Sequence, residues 1–432
     1  MSISSSLNAG VSGLSSNASK LATVSDNIAN SGTYGYKRAD IDFSSLVIAQ
    51  REGTYSAGGV RVDSYREVDA RGTLVSTANA TDISIGGRGM LPVTPVSAVD
   101  NNGTSFPLQL VTTGSFRQDA NGYLRTESGL ALMGFPADPD GNVPVQPRDS
   151  SAGLEPVIVN RNQFAASPTT EITLGANLPA EATQAGSPGT PLEISVEYFD
   201  NTGASQTLLA EFTPTVPATG QSNEWTMVLT DQAQGGVVVG EFTIQFDATT
   251  ANGGSILSVT PVTGTYDAVT GAATVNVDRG PIEINIGSPG LGSQLTQLSA
   301  EFAPTAISKN GAPVGTLTGV TIDENGFLTA TYDTGFSRVI YQIPLADVPN
   351  LNGLTALDNQ AFAISADSGP LYLWDAGDGP TGSTIGFARE ESTADIAAEL
   401  TQLIETQRAY SSNARVIQTV DEMLQETTNI KR

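Results

Sequence analysis

The sequence predicts an α+β multi-domain chain, with a long heptad-patterned helix at each end and two mainly β domains between, the second inserted in the first. Three observations predict it. Apolar residues recur at heptad spacing only near the two termini. The middle breaks into short alternating runs separated by Gly, Pro and Asn-Gly or Asp-Gly pairs. One part of that middle, 166–300, is richer in Thr, Val and Gly than its flanks.

At the N-terminus, Leu7, Val11, Leu14, Ala18, Leu21, Ser25 and Ile28 alternate spacings of four and three, an a/d seam broken by one serine. The opposite face is Ser, Asn and Ala, with only Lys20 and Asp26 charged. An isolated soluble helix normally carries more charge there. The segment lacks the basic n-region and continuous apolar h-region of a cleaved signal peptide, so export would leave this end intact. Near the other end, Ser392 and Asp395 have capping-box-like spacing. Ile396, Leu400, Leu403, Gln407, Tyr410, Ala414, Ile417, Asp421 and Leu424 then run at heptad spacing, widened by Ile404, Val420 and Met423. A helix over 394–427 would be roughly 50 Å long. The periodicity alone leaves two arrangements open: two amphipathic helices packed on a β core, or ends that pair with each other and with neighbouring copies.

In the middle, "DANGYL" (119–124) and "DENGFL" (323–328) predict tight turns, with Asp and Asn bonding local backbone and Gly at the φ > 0 position. Neither suits a calcium loop, since Tyr123 and Phe327 occupy ligand positions and no bidentate Glu follows. "DPDGN" (138–142) fails likewise. "GSPGLG" (287–292) lacks the lysine and helix of a phosphate cradle. The strand candidates "LEISVEYFD", "TLLAEFTPT", "EWTMVLT" and "GEFTIQFD" fill the inserted domain.

The 432 residues are 39% hydrophobic, enough for two or three compact domains. The absence of Cys and His removes thiol nucleophiles, imidazole bases, Ser-His-Asp triads and the usual zinc ligand sets. Carboxylate chemistry stays open, but no acidic pair stands out. No catalytic, cofactor or metal residues are expected. A cysteine-free chain suits a location outside the cytoplasm without disulfides. Of the net charge of −25, about −21 belongs to the middle, since residues 1–100 and 389–432 are nearly neutral. That acidic, solvated exterior argues against nucleic acid, and no apolar run is long enough to insert in a membrane.

"SDNIANSGTYGYKR" (25–38) resembles the signature that ends the N-terminal helix of bacterial flagellar rod, hook and hook-associated proteins. Asn27, Ala29, Asn30, Gly35, Tyr36, Lys37 and Arg38 match, and Tyr34 stands where a small residue is commoner. "TDISIGGRGMLPV", "GSFRQDANGYLRTESGLALMGFP" and "LIETQRAYSSNARVIQTVDEML" are similar to further segments of that family, with Met90-Leu91 in place of an aromatic pair. "SVEYFDNTGASQTLLAEF", the run 319–354 and "FAISADSG" look like its hook members in particular. Only the loops around 180–190, 215–225 and 248–280 go unmatched.

The resemblance implies a structural, non-enzymatic subunit. Residues 1–34 and 393–432 would form an inner coiled-coil domain, and 35–75 with 378–392 an extended connector. Residues 76–165 and 301–377 would form one β domain, carrying the outer 166–300 domain. Copies would cross a type III export apparatus unfolded and polymerise under a cap. The product would be a curved extracellular tube joining a rod protein to a hook–filament junction protein and transmitting torque. A straight distal rod of the same family is the alternative, and a secreted β-rich adhesin a more distant one. Assembly would rest on the seam residues Leu7, Val11, Leu14, Leu21, Ile28, Ile396, Leu400, Leu403, Tyr410, Ile417 and Leu424. In the joint, Gly32 and Gly35 would permit bends. Lys37 and Arg38 would meet carboxylates of a neighbouring subunit or, alternatively, of their own.

Overall fold

The computed structural model describes residues 3–46, 58–100, 106–139, 141–159, 164–290 and 294–430. Asp140 of "DPDGN", Leu291 and Gly292 of "GSPGLG", Lys431 and part of the connector lie outside them. The described chain is mostly β, in several sheets, with a long helix at each end. It forms two compact units: Met1–Asn160 with Gly319–Ala330 and Ser337–Arg432, and Arg161–Thr318 with Thr331–Phe336.

In the first unit the N-terminal helix spans Ile3–Ala29. Part of its polar face is satisfied by its own backbone. Ser12, Ser19, Thr23 and Ser25 each donate a hydroxyl hydrogen to a carbonyl three or four residues back, at 2.8–3.2 Å. An antiparallel ribbon follows, Ala39–Ser45 against Val60–Arg66, in register from Ala39↔Arg66 to Ser45↔Val60. It lies along the helix, where Ser12 Oγ accepts the Val60 amide at 3.2 Å. The short strands Leu74–Ser76 and Ala388–Glu390 then pair, drawing residues from both ends of the sequence together.

The largest sheet of this unit centres on Leu130–Pro136, buried along nearly its whole length as expected of a strand covered on both faces. Its neighbours include Leu91–Pro95 and Ser337–Gln342. Met90, Leu110, Phe135, Leu351, Phe362 and Leu373 belong to its core.

The second unit contains two sheets that share one core. The first is a five-stranded antiparallel meander from Leu192–Phe199 to Ile256–Thr263. Its strand Glu224–Asp231 alternates buried and half-buried residues, the period-2 signature of one covered face. Trp225, Phe212 and Phe242 point into the core and meet Ile172, Ile282 and Ile284 of the other sheet. There, Glu171–Pro179 takes parallel partners in Gly280–Asn285 and Leu295–Leu298 and an antiparallel one in Ala303–Lys309.

The Asp-x-x-Gly turns share one construction. Asp119 Oδ1 accepts the amides of Asn121 and Tyr123, both at 2.9 Å. Asp323 does the same for Asn325 and Phe327, and Asp200 for Thr202 and Ala204. These carboxylates cap turn backbone.

The C-terminal helix spans Ile396–Ile430, starting two residues later and ending three later than its pattern suggests. Asp395 is itself the N-cap, its Oδ1 accepting the Ala397 amide at 2.8 Å, while Ser392 Oγ holds the Ala394 amide just ahead. The expected box across Ser392 and Asp395 is therefore two successive turns.

Candidate self-assembly site

Within one chain the two long helices pack through small and polar residues. A Cβ built on Gly10 would stand 3.2 Å from Ile417 Cγ1, and one on Gly13 3.0 Å from Asn413 Nδ2. Glycine lets the backbones approach this closely. Ser16, Val24 and Asn27 are buried on the first helix, and Glu399, Thr406 and Val420 on the second.

Most of the heptad stripe residues face elsewhere, Ile417 against Gly10 being an exception. Leu7, Leu14, Leu21 and Ile28 are half-buried, and Val11 is 51% exposed. On the second helix Leu403 and Ile417 are half-buried, whereas Ile396, Leu400, Tyr410 and Leu424 are exposed, along with Ile404 and Met423. Seven of these large apolar side chains thus leave their faces open to solvent in a single copy.

At the joint, the side chain of Asn27 is fully buried and fully bonded. Its Nδ2 donates to Ala39 O at 2.8 Å and to Glu399 Oε1 at 3.2 Å, and its Oδ1 accepts the Ala39 amide at 2.9 Å. The Tyr36 hydroxyl lies within bonding reach of Asn27 Oδ1 at 3.0 Å and of Asp26 Oδ2 at 2.9 Å. Burial first, then the bond to Asp26, pushes its pKa up to about 12. The Arg66 guanidinium sits 4.8 Å from the Tyr36 ring centre. Asn30 stays local, donating to Asp26 O at 2.9 Å across the last helical turn. Gly35 has φ +72°, a conformation that favours glycine, and its amide donates to Glu390 O at 2.8 Å. Gly32 shows no such requirement: φ is not positive and a Cβ there would meet nothing within 4 Å.

The two cations of the joint are used inside the chain. Lys37 has no exposed side-chain surface; its Nζ donates to Glu390 Oε1 at 2.8 Å and to Ala70 O at 2.6 Å. Burial lowers its pKa, with the Glu390 charge working against that shift. Arg38 donates through Nε to Glu399 Oε1 at 2.6 Å and through a terminal nitrogen to Asp40 Oδ2 at 2.8 Å. Burial opposes its charge, but the bonds to Asp40 and Glu399 outweigh it and raise the pKa. Burial likewise opposes the charge of Asp40, and the bond from Arg38 prevails and lowers its pKa. Of the two expected partnerships for Lys37 and Arg38, the single chain supplies the internal one. A side chain already fully buried has no surface left for a neighbour's carboxylate.

Sequence reasoning passed over Glu390 and Glu399, which lie more than 350 residues from their partners. It also passed over Gly10 and Gly13. Two glycines three apart inside a helix were the available signal, because glycine costs about 1 kcal/mol there unless close packing requires it.

Three family models match the chain: flagella basal body rod protein over 7–37, flagellar basal body protein FlaE D2 domain over 173–312, and flagellar basal body rod FlgEFG protein C-terminal over 386–430. The first includes Asn27, Tyr36 and Lys37 of the joint, and the last includes Glu390 and Glu399. The chain is 34% identical over 434 residues to the flagellar hook protein FlgE of Brucella suis, covering 100% of each. It is 32% identical over 445 residues to that of Rhizobium meliloti, again covering 100% of each. Among solved structures, the Helicobacter pylori flagellar hook protein FlgE2 aligns with TM-score 0.47 and 12% identity, over 73% of this chain and 99% of that one.

Proposed function

The chain belongs to the flagellar hook protein FlgE family, and from that premise we propose that it is a structural subunit of the bacterial flagellar hook. Copies polymerise into a curved tube outside the cell that carries motor torque from rod to filament. The paired terminal helices form the inner coiled-coil layer. The first unit's β strands and the inserted β domain lie outside it. The rod protein and the hook–filament junction protein are its neighbours at either end, with the cap and the type III export apparatus acting during assembly. The role is mechanical and not enzymatic.

One observation carries this reading. The first helix offers its partner Gly10, Gly13 and buried Ser16 and Asn27, and both helices leave large apolar residues turned outward. Val11, Ile396, Leu400, Ile404 and Met423 are each 46–51% exposed, a face that further copies would bury. The self-bonded hydroxyls of the first helix support the same reading, because they need no water when neighbours close around them. A repeated contact that does not close on itself generates a filament.

The test is electron microscopy of motility structures from cells lacking the chain. Rods without hooks are expected. Complete hooks would sink the proposal, and absent distal rods would move the chain to the rod.

A further inference from the structure

The strand pair that closes the two chain ends has little apolar patterning to fix its alignment. Leu74–Ser76 and Ala388–Glu390 are three residues each, and Leu74 is 38% exposed. Of their apolar residues only the small Ala388 is buried. Register is well specified where a pattern of large apolar residues meets a core, and weakly specified otherwise. A slip of two residues would keep every side chain on its own face.

A polar contact occupies the place that apolar patterning leaves empty. Glu390 Oε1 accepts from Lys37 Nζ and from the Gly72 amide, both at 2.8 Å. Lys37 is held on the same side by Ala70 O at 2.6 Å. A Cβ at Gly72 would stand 2.1 Å from Glu391 O, so only glycine brings its amide this close. Moving the strand Ala388–Glu390 by two residues along its partner would put Ala388 or Ser392 in the place of Glu390 and leave Lys37 buried without that carboxylate, which is strongly disfavoured.

We propose that Lys37 and Glu390 form a register pin, a buried ion pair that selects one alignment of the two chain ends. The alignment matters beyond the strands. A two-residue slip displaces a strand by about 6.6 Å. That exceeds the 5.4 Å pitch of a helix and would carry Ile417 past Gly10. The inference concerns a single chain and does not rest on the hook reading.

The native sequence has no cysteine, so introduced pairs are the only thiols. Ser76 stands opposite Ala388, with the Thr77 amide bonded to Phe387 O beside them. Such a non-hydrogen-bonded pair has Cα atoms on the order of 4.5 Å apart, close enough for a disulfide. Full-length chain carrying Ser76→Cys/Ala388→Cys reports the native register, and Leu74→Cys/Ala388→Cys the slipped one. Under mild oxidation the native pair should form at least about tenfold more crosslink, and Lys37→Met should cut that preference to below about threefold by raising the slipped product. The apolar double variant Lys37→Met/Glu390→Leu removes the buried charge and should show the same loss of preference with both crosslinks present. No native crosslink in the parent, an unchanged ratio in Lys37→Met, or loss of both crosslinks in the apolar double variant would each overturn the pin.

Discussion

The side-chain amide of Asn27 and the carboxylate of Glu399, 372 residues apart in sequence, meet at 3.2 Å. The contact ties the last turn of one helix to the first turn of the other. Asn27→Ala leaves the Ala39 amide and carbonyl without their side-chain partner in a half-buried place. The cost should be about 1–3 kcal/mol. Hydrogen exchange at Ala39 should accelerate accordingly, while amides of the meander around Met227 stay unchanged.

Glycine substitutions should separate close packing from mere flexibility. Gly10→Leu must displace Ile417 and should part the helices, abolishing hooks in cells. Gly32→Ala meets open space at an ordinary φ and should leave assembly and motility intact, within about 0.5 kcal/mol of parent stability.

Outward apolar residues should matter to the assembly and not to the single chain. Leu400→Ser and Ile396→Ser change half-exposed positions, so thermal unfolding of purified chain should shift by no more than about 0.5 kcal/mol. Hook assembly should fail, because the loss recurs in every copy. Leu403→Ala and Ile417→Ala, at half-buried positions, the latter beside Gly10 of the first helix, should affect both measurements.

Asp82 predicts an acid limit. Burial alone would raise its pKa, but bonds from Arg117, Asn79 and Ser115 at 2.7–2.8 Å bring it down to about 2. A depressed folded pKa gives stability that is full above the unfolded value near 4 and lost as pH falls toward 2. The first unit should therefore lose about 2 kcal/mol across that window. Asp82→Asn should be less stable at pH 7 and show a flatter profile between pH 4 and 2 in denaturant titrations.

Much of this was legible locally. The heptad spacing located both helices, and Asp-x-Asn-Gly located turns at 119 and 323, because each signal sits within one short window. What escaped was set by distance along the chain. Nothing near Lys37 announces Glu390, and nothing in Leu7 through Ile28 says that Gly10, on another face, meets Ile417. The heptad pattern marked one apolar stripe on each helix. It did not say that the partner helix within the chain would take the small residues and leave the large ones outside. The strand Ala303–Lys309 likewise joins the second unit through a pairing with Glu171–Pro179 that no local pattern encodes.

That strand, Glu171–Pro179, imposes an order on folding. Its partners begin at Gly280, roughly a hundred residues later. The meander between them pairs neighbour with neighbour and can close as it leaves the ribosome, whereas this strand waits with both edges bare. Non-local pairing of this kind slows folding and leaves edges open to other chains. Newly made protein therefore passes through an interval in which one sheet is complete and its facing sheet has only a single, unpaired member.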